Sequence, residues 1–249
     1  MEDRLLNKAI VYIFYIFLFC TLLSMFKTSY ADTPLPTPVG RVVWTKGIFK
    51  ALMPNKEERT LQKLSVIYLN DTLITDDKSQ AQIVFTDDTL MTFRENTKFV
   101  IEKYSFNPSK KSGSVGKYLM NLVTGGFRTV TGLIEKRNPN DYTINTPVAT
   151  IGARGTDYTV YLKDGELNIG YISGSPCVTN QFGSVCLTPE SRYATVTSAT
   201  RAPVASNVQP ASLKVDVEIV PAKLQPFAAP GGVRGGSTGG GTVSSFCIT

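Results

Sequence analysis

From residue 39 onward, apolar and polar side chains alternate with a period of two through one short run after another, the repeat expected of strands with one buried face. Residues 39–44 are apolar and punctuated by Gly40 and Gly47, and residues 61–74 carry a second series with Asn70-Asp71 as a turn signal. Ala81, Ile83 and Phe85 alternate with Gln80, Gln82 and Val84, and Thr86-Asp87-Asp88-Thr89 turns into residues 90–93, which predicts a hairpin. Residues 99–106 are β-prone, and residues 107–117, rich in Ser, Gly and Lys, predict a loop. Gly125-Gly126 predicts a turn, with a strand following over residues 127–134.

Tyr142, Ile144 and Thr146 continue the alternation until Pro147, which has no amide to donate and belongs at a strand end or edge. Residues 148–151 form a short apolar run, and Gly152-Ala153-Arg154-Gly155 follows with one arginine between glycines. Tyr158, Val160 and Leu162 then share a face opposite Asp157, Thr159, Tyr161 and Lys163. Asp164-Gly165 between two alternating runs predicts a tight hairpin, with Leu167, Ile169 and Tyr171 on one face of the outgoing strand. Only residues 117–123 suggest helix, of one or two turns. Strands arriving every 8–12 residues predict an all-β fold, a sandwich or a solenoid-like roll, preceded by an N-terminal signal helix and followed by a disordered C-terminal tail. A faint echo of Gly40-Arg41-Val42 in Gly170-Tyr171-Ile172 would suit two similar stacked sheets.

Composition divides the chain further. Residues 1–31 read as an export signal: Arg4 and Lys8 precede an uncharged apolar run over residues 9–26, and Ser29-Tyr30-Ala31 offers a cleavage site. The same run would just span a bilayer if it were retained as an anchor. Residues 32–38 are a Pro-rich lead-in, residues 39–198 the β domain, and residues 199–249 a Pro-, Ala- and Gly-rich tail, flexible by composition. Residues 213–220 are the strand candidate inside that tail, able to dock on the domain or to pair with a partner.

Export makes disulfides the default state of cysteine. Cys177 and Cys186 flank two short arms around a turn, and a hairpin brings them together as a structural bridge; Cys247 is left over. The predicted compartment is the periplasm or the exterior of a Gram-negative cell, with inner-membrane anchoring through the N-terminal segment as the alternative.

The chain has 26 basic and 20 acidic residues; cleavage after Ala31 leaves 23 against 18, a net charge of +5. The basic residues are scattered apart from Lys110-Lys111 and Lys136-Arg137, so nucleic acid is not an expected partner. There is no histidine, which removes His-activated nucleophiles, His-ligated zinc and His-held haem. Asp76-Asp77 and Asp87-Asp88 are sequence neighbours, which point to opposite faces of a strand, and they read as turn residues rather than an acid and base pair. No cofactor, no metal site and no catalysis are expected. Arg154 has two readings: a guanidinium framed by Gly152 and Gly155 that grips an anionic group of a partner, or a tie that joins two strand ends through backbone carbonyls or Asp157. The tie also suits Arg128.

These residues together resemble the FecR domain family over about residues 39–196. The firmest parts are Gly125-Gly126-Phe127-Arg128, Tyr142-Thr143-Ile144-Asn145-Thr146-Pro147 and Arg154-Gly155-Thr156. Asp71-Thr72-Leu73-Ile74-Thr75 and the hairpin through Thr86-Asp87-Asp88-Thr89-Leu90 fit its N-terminal half. The resemblance marks Gly126, Arg128, Thr146, Pro147, Arg154, Gly155 and Thr156 as family positions. It implies envelope-spanning regulators that relay siderophore occupancy of an outer-membrane transporter to a cytoplasmic sigma factor. Here only residues 1–8 precede the apolar run, too few for a sigma-binding segment, and the tail does not look like a transporter-contact domain. The expectation is a stand-alone exported FecR-domain protein: a non-enzymatic interaction module, scaffold or sensor, for an envelope protein or polymer. The alternative is a membrane-anchored component of surface signalling that acts through a partner regulator.

Overall fold

The computed structural model describes residues 36–110, 113–214 and 217–222. The expected export signal, most of the Pro-rich lead-in, residues 111–112, residues 215–216 of the strand candidate, and residues 223–249 with Cys247 lie outside the described residues. The strands follow in chain order as β1 (Pro38–Lys46), β2 (Phe49–Leu52), β3 (Glu58–Thr60), β4 (Val66–Tyr68), β5 (Thr72–Thr75) and β6 (Gln80–Phe85). Next come β7 (Leu90–Phe93), β8 (Lys98–Phe106), β9 (Gly116–Val130), β10 (Tyr142–Asn145), β11 (Thr150–Gly152) and β12 (Asp157–Lys163). The last are β13 (Glu166–Ser173), β14 (Cys177–Asn180), β15 (Gly183–Cys186), β16 (Tyr193–Val196) and β17 (Val204–Ser206). One helix, α1 (Leu133–Arg137), interrupts them between β9 and β10.

They form two sheets. In sheet A the neighbours run β4, β1, β6, β7, β9, β12, β13, β16, β17. In sheet B they run β3, β2, β5, β8, β9, β10, β11, β14, β15. Every pairing is antiparallel except β9 with β10. The chain therefore advances along the molecule while passing back and forth between the sheets, which unites the sandwich and the solenoid-like roll expected from the sequence.

β9 belongs to both sheets. Its first half pairs β8 and β10, and its second half pairs β7 and β12. Helix over residues 117–123 is overturned. Tyr118, Met120 and Leu122 are buried at every second position, and a face of period two between β8 and β10 holds them as strand. Gly125-Gly126 is likewise not a turn between strands but the bend where β9 leaves one sheet for the other. Gly125 has φ +86, and a Cβ there would lie 2.4 Å from the Thr97 Cα and 2.6 Å from the Asn96 carbonyl oxygen.

The core between the sheets is aromatic along its length. Phe93 meets Phe99 at 5.2 Å between ring centroids, Phe99 meets Phe127 at 5.7 Å, and Tyr118 stacks on Tyr142 at 4.5 Å. Tyr158, Val160 and Leu162 are buried as their alternation predicts. The β12–β13 hairpin turns at Asp164 (φ 50) and Gly165 (φ 79), where both central residues need positive φ. Cys177 and Cys186 face each other across β14 and β15 and are bridged.

Asp87 departs from the sequence reading in kind. It sits at a turn, yet it is completely buried, and it starts a helix from a distance. Its main-chain oxygen accepts from Leu133 N at 2.7 Å and its carboxylate from Ile134 N at 3.3 Å, two of the amides that the first turn of α1 leaves unsatisfied. The Thr89 hydroxyl and the Tyr104 hydroxyl also donate to that carboxylate. Burial pushes its pKa up, against the pull of these donors. The tail boundary also moves. Residues 204–206 add β17 to sheet A, so residues assigned to a flexible tail by composition belong to the fold.

Replacing Gly125 with alanine should lower the unfolding free energy by about 3 kcal/mol, because positive φ and a backbone clash act together. Gly152→Ala, at a site with open space around it, should stay within about 0.5 kcal/mol. Urea titration of the two variants measures both.

Candidate functional site

The family positions fall on separate parts of the fold. Thr146 and Pro147 make the turn between β10 and β11: the Thr146 hydroxyl accepts from Ala149 N at 3.0 Å and donates to the Ala149 carbonyl at 2.7 Å. Gly155 donates its amide to Glu135 of α1 at 2.6 Å, and Thr156 donates its amide to the Thr131 hydroxyl at 3.0 Å. That hydroxyl in turn lies 3.0 Å from Glu135 Oε2, so a fully buried carboxylate fastens the Arg-Gly-Thr loop to the end of β9. The Arg154 side chain is exposed. The tie it was expected to make to Asp157 is made by Arg128, whose Nε and Nη2 lie 3.0 and 2.8 Å from the two Asp157 oxygens. Strand register explains the difference. Asp157 and Val130 are paired across β12 and β9, which puts Arg128 two residues away on the same face.

That face, the outer one of sheet A, carries the densest polar arrangement. Gln82 in β6 stands opposite Thr92 in β7, and Thr92 stands opposite Arg128 in β9, which stands opposite Thr159 in β12. Side chains that point away from a sandwich core are normally wet, yet Gln82 and Thr92 are buried and Arg94 nearly so. What covers them is a later part of the same chain, described over residues 209–214 and 217–222 and here called the strap. It begins with a 3-10 turn (Ala211–Leu213) packed on β12 and β13.

The sheet holds the strap by its main chain. Arg94 Nη1 donates to the Ser212 carbonyl at 2.6 Å, Arg128 Nη1 to the Val217 carbonyl at 3.1 Å, and the Thr92 hydroxyl lies 3.1 Å from the Glu218 carbonyl. Gln82 takes both groups of one residue. Its Oε1 accepts from Val220 N at 2.8 Å and its Nε2 donates to the Val220 carbonyl. The Trp44 indole donates to the same Oε1 at 3.1 Å and fixes the amide's orientation. Arg94 lies over the Tyr161 ring at 4.3 Å; burial lowers its pKa, while Tyr161 and Glu95 raise it. Among the described strap residues, Leu213 and Val217 are buried.

From Leu213 over β13 to Val220 at β6 the strap crosses β12, β9 and β7, roughly 19 Å at the usual strand spacing. The strand expected over residues 213–220 is corrected in form. Leu213 closes a 3-10 turn and residues 217–220 pair with no strand, because they run across the sheet and meet side chains instead of an open edge. Beside the strap lies a half-open cavity of about 480 Å³, lined among others by Arg128, Tyr171, Arg192, Tyr193, Leu213 and Val217. Sequence reasoning passed over Gln82, Thr92 and Arg94. The one available signal was the run of polar residues at the outward positions of β6 and β7.

Arg128→Ala should lower the unfolding free energy by about 1–2 kcal/mol, since it strands Asp157 and releases the Val217 carbonyl. Arg154→Ala should change it by less than about 0.5 kcal/mol. Gln82→Ala should raise amide hydrogen exchange at Val220 with little effect on the amides of β12 and β13, which hydrogen exchange with mass spectrometry resolves.

Two crystal structures of a protein from Parabacteroides distasonis ATCC 8503, provisionally described as an anti-sigma factor, are similar to this chain. Both are 14% identical to it, with TM-scores of 0.41 and 0.42. The alignments cover 54% and 55% of this chain and 57% and 59% of the other, so the chain spans less than two thirds of the length of the protein it matches. No curated protein matches it. Residues 71–175, from the start of β5 to just past β13, match the family described as FecR protein, and the chain carries a FecR domain.

Proposed function

We propose that this protein is a non-enzymatic interaction module of the cell envelope that binds an extended segment of an envelope protein on the outer face of sheet A, as a scaffold or sensor. The observation that carries this reading is the direction of the contacts on that face. Arg94, Arg128, Thr92 and Gln82 all address main-chain groups, which every polypeptide has. A face built in this way recognises backbone in the manner of a sheet edge, while leaving few side-chain pockets to set sequence preference. The anchor-like apolar run over residues 9–26 supports a second arrangement, in which the same domain stays at the inner membrane and passes its occupancy to a partner regulator.

The test is site-specific photocrosslinking in the native envelope with a benzophenone residue at Ile172, exposed and on the cavity wall. One envelope protein should be captured, and an excess of synthetic peptide with the sequence of residues 209–222 should suppress the capture. A crosslink insensitive to that peptide, or none, sinks the reading. Sequencing the N-terminus of the native protein separates the two arrangements: Asp32 means release, and Met1 means an anchor.

A further inference from the structure

We infer that the strap is a tethered placeholder that keeps the outer face of sheet A closed, and that the partner which displaces it is an extended segment with a large aromatic side chain in place of Leu213. This rests on the reading of that face as a binding site and adds the partner's chemistry and the regulation of access.

The strap underfills its site. Leu213 reaches toward Gly170 of β13, where its Cδ1 lies 3.2 Å from the place a Cβ would occupy, so the sheet is shaved to its backbone at that point. Yet a cavity of about 480 Å³ remains beside Leu213 and Val217. That is the volume of a small-ligand pocket, half-open to solvent beside the strap. Its walls include the Tyr193 ring, whose Cδ1 lies 3.4 Å from the place a Gly170 Cβ would occupy, a surface on which an aromatic group packs well.

The strap is also replaceable in principle. The hydrogen bonds from Arg94, Arg128 and Gln82 end on Ser212, Val217 and Val220 main-chain atoms, so another chain with the same path keeps all of them. Among its described residues Leu213 and Val217 are buried and Ile219 is half-buried, while Lys214, Glu218 and Val220 are exposed. An incoming segment therefore loses nothing by differing at those positions, and it gains whatever it places in the cavity.

The experiment measures peptide affinity by fluorescence anisotropy on the full mature chain and on two strap variants of it. Leu213→Ser with Val217→Ser removes the apolar hold, and Val220→Pro deletes the amide that Gln82 accepts. The probes are a labelled peptide with the sequence of residues 207–222 and the same peptide with Leu213→Trp. The Leu213→Trp peptide should bind each strap variant at least tenfold tighter than it binds the native chain, and at least fivefold tighter than the unsubstituted peptide does. Equal affinity for native and variant chains overturns the placeholder while leaving the binding face intact. Equal affinity of the two peptides overturns the aromatic partner. No binding to a variant whose strap amides exchange freely overturns the binding face itself, and straps that stay protected in both variants overturn exchangeability. Concentration-dependent dimers of the variants would assign the face to a second copy and overturn the inference as well.

Discussion

The passage of β9 from one sheet to the other is the constraint on which the rest of the fold depends. A strand of this length can serve both layers only by bending, and at Gly125 the bend brings the backbone against Thr97 so closely that no side chain fits. The Thr97 hydroxyl secures the crossing: it accepts the Gly126 amide at 3.0 Å and also lies 3.0 Å from the Gly126 carbonyl. On one side of the bend Tyr118, Met120 and Leu122 face the core from sheet B. On the other, Phe127 faces it from sheet A, and the next residue, Arg128, points out of it. The position of Arg128 on the outer face, and with it the whole polar cradle, follows from where β9 turns over.

What could be read in the sequence was whatever a few neighbouring residues decide. Asp164-Gly165 needs positive φ at both positions and so announced its hairpin; the arms from Cys177 to Cys186 are short enough to register opposite each other; Tyr158, Val160 and Leu162 showed their face by alternation. What escaped was decided at a distance. Residues 117–123 have no strong β character of their own and are strand because β8 and β10 flank them. Asp87 looked like any turn aspartate, and its burial depends on a helix that starts at Leu133. Gln82 and Thr92 sit where outward polar residues are unremarkable. Only the return of the chain at Glu218 and Val220, more than a hundred positions later, covers them.

The Arg128 and Arg154 pair shows the same division at one motif. Both arginines stand in glycine-marked contexts and both could reach Asp157 by sequence distance alone. The register between β9 and β12 chooses between them, and register is a property of the sheet rather than of the tripeptide. Arg154 is left exposed on a loop whose backbone is fastened by Glu135 and Thr131. The Arg-Gly-Thr signature thus shapes a loop, while Arg128 joins the ion pair and the strap.

Main-chain hydrogen bonds worth about 1 kcal/mol net apiece and two buried side chains worth about 2 kcal/mol each make a modest hold, as an exchangeable cover requires. Tethering then favours the strap kinetically and at equilibrium, since a short flexible link presents it at an effective concentration near the millimolar range. A free partner at micromolar concentration starts at a disadvantage of about 4 kcal/mol. Burying a further ~150 Å² of apolar surface in the cavity supplies about 4 kcal/mol at the usual ~25 cal/mol per Å². Tryptophan, the largest side chain, buries up to about 250 Å², which leaves an excess of that order over the Leu213 side chain it replaces. The empty volume beside Leu213 is therefore matched to the advantage that the tether confers, and a partner that failed to use it would lose to the strap.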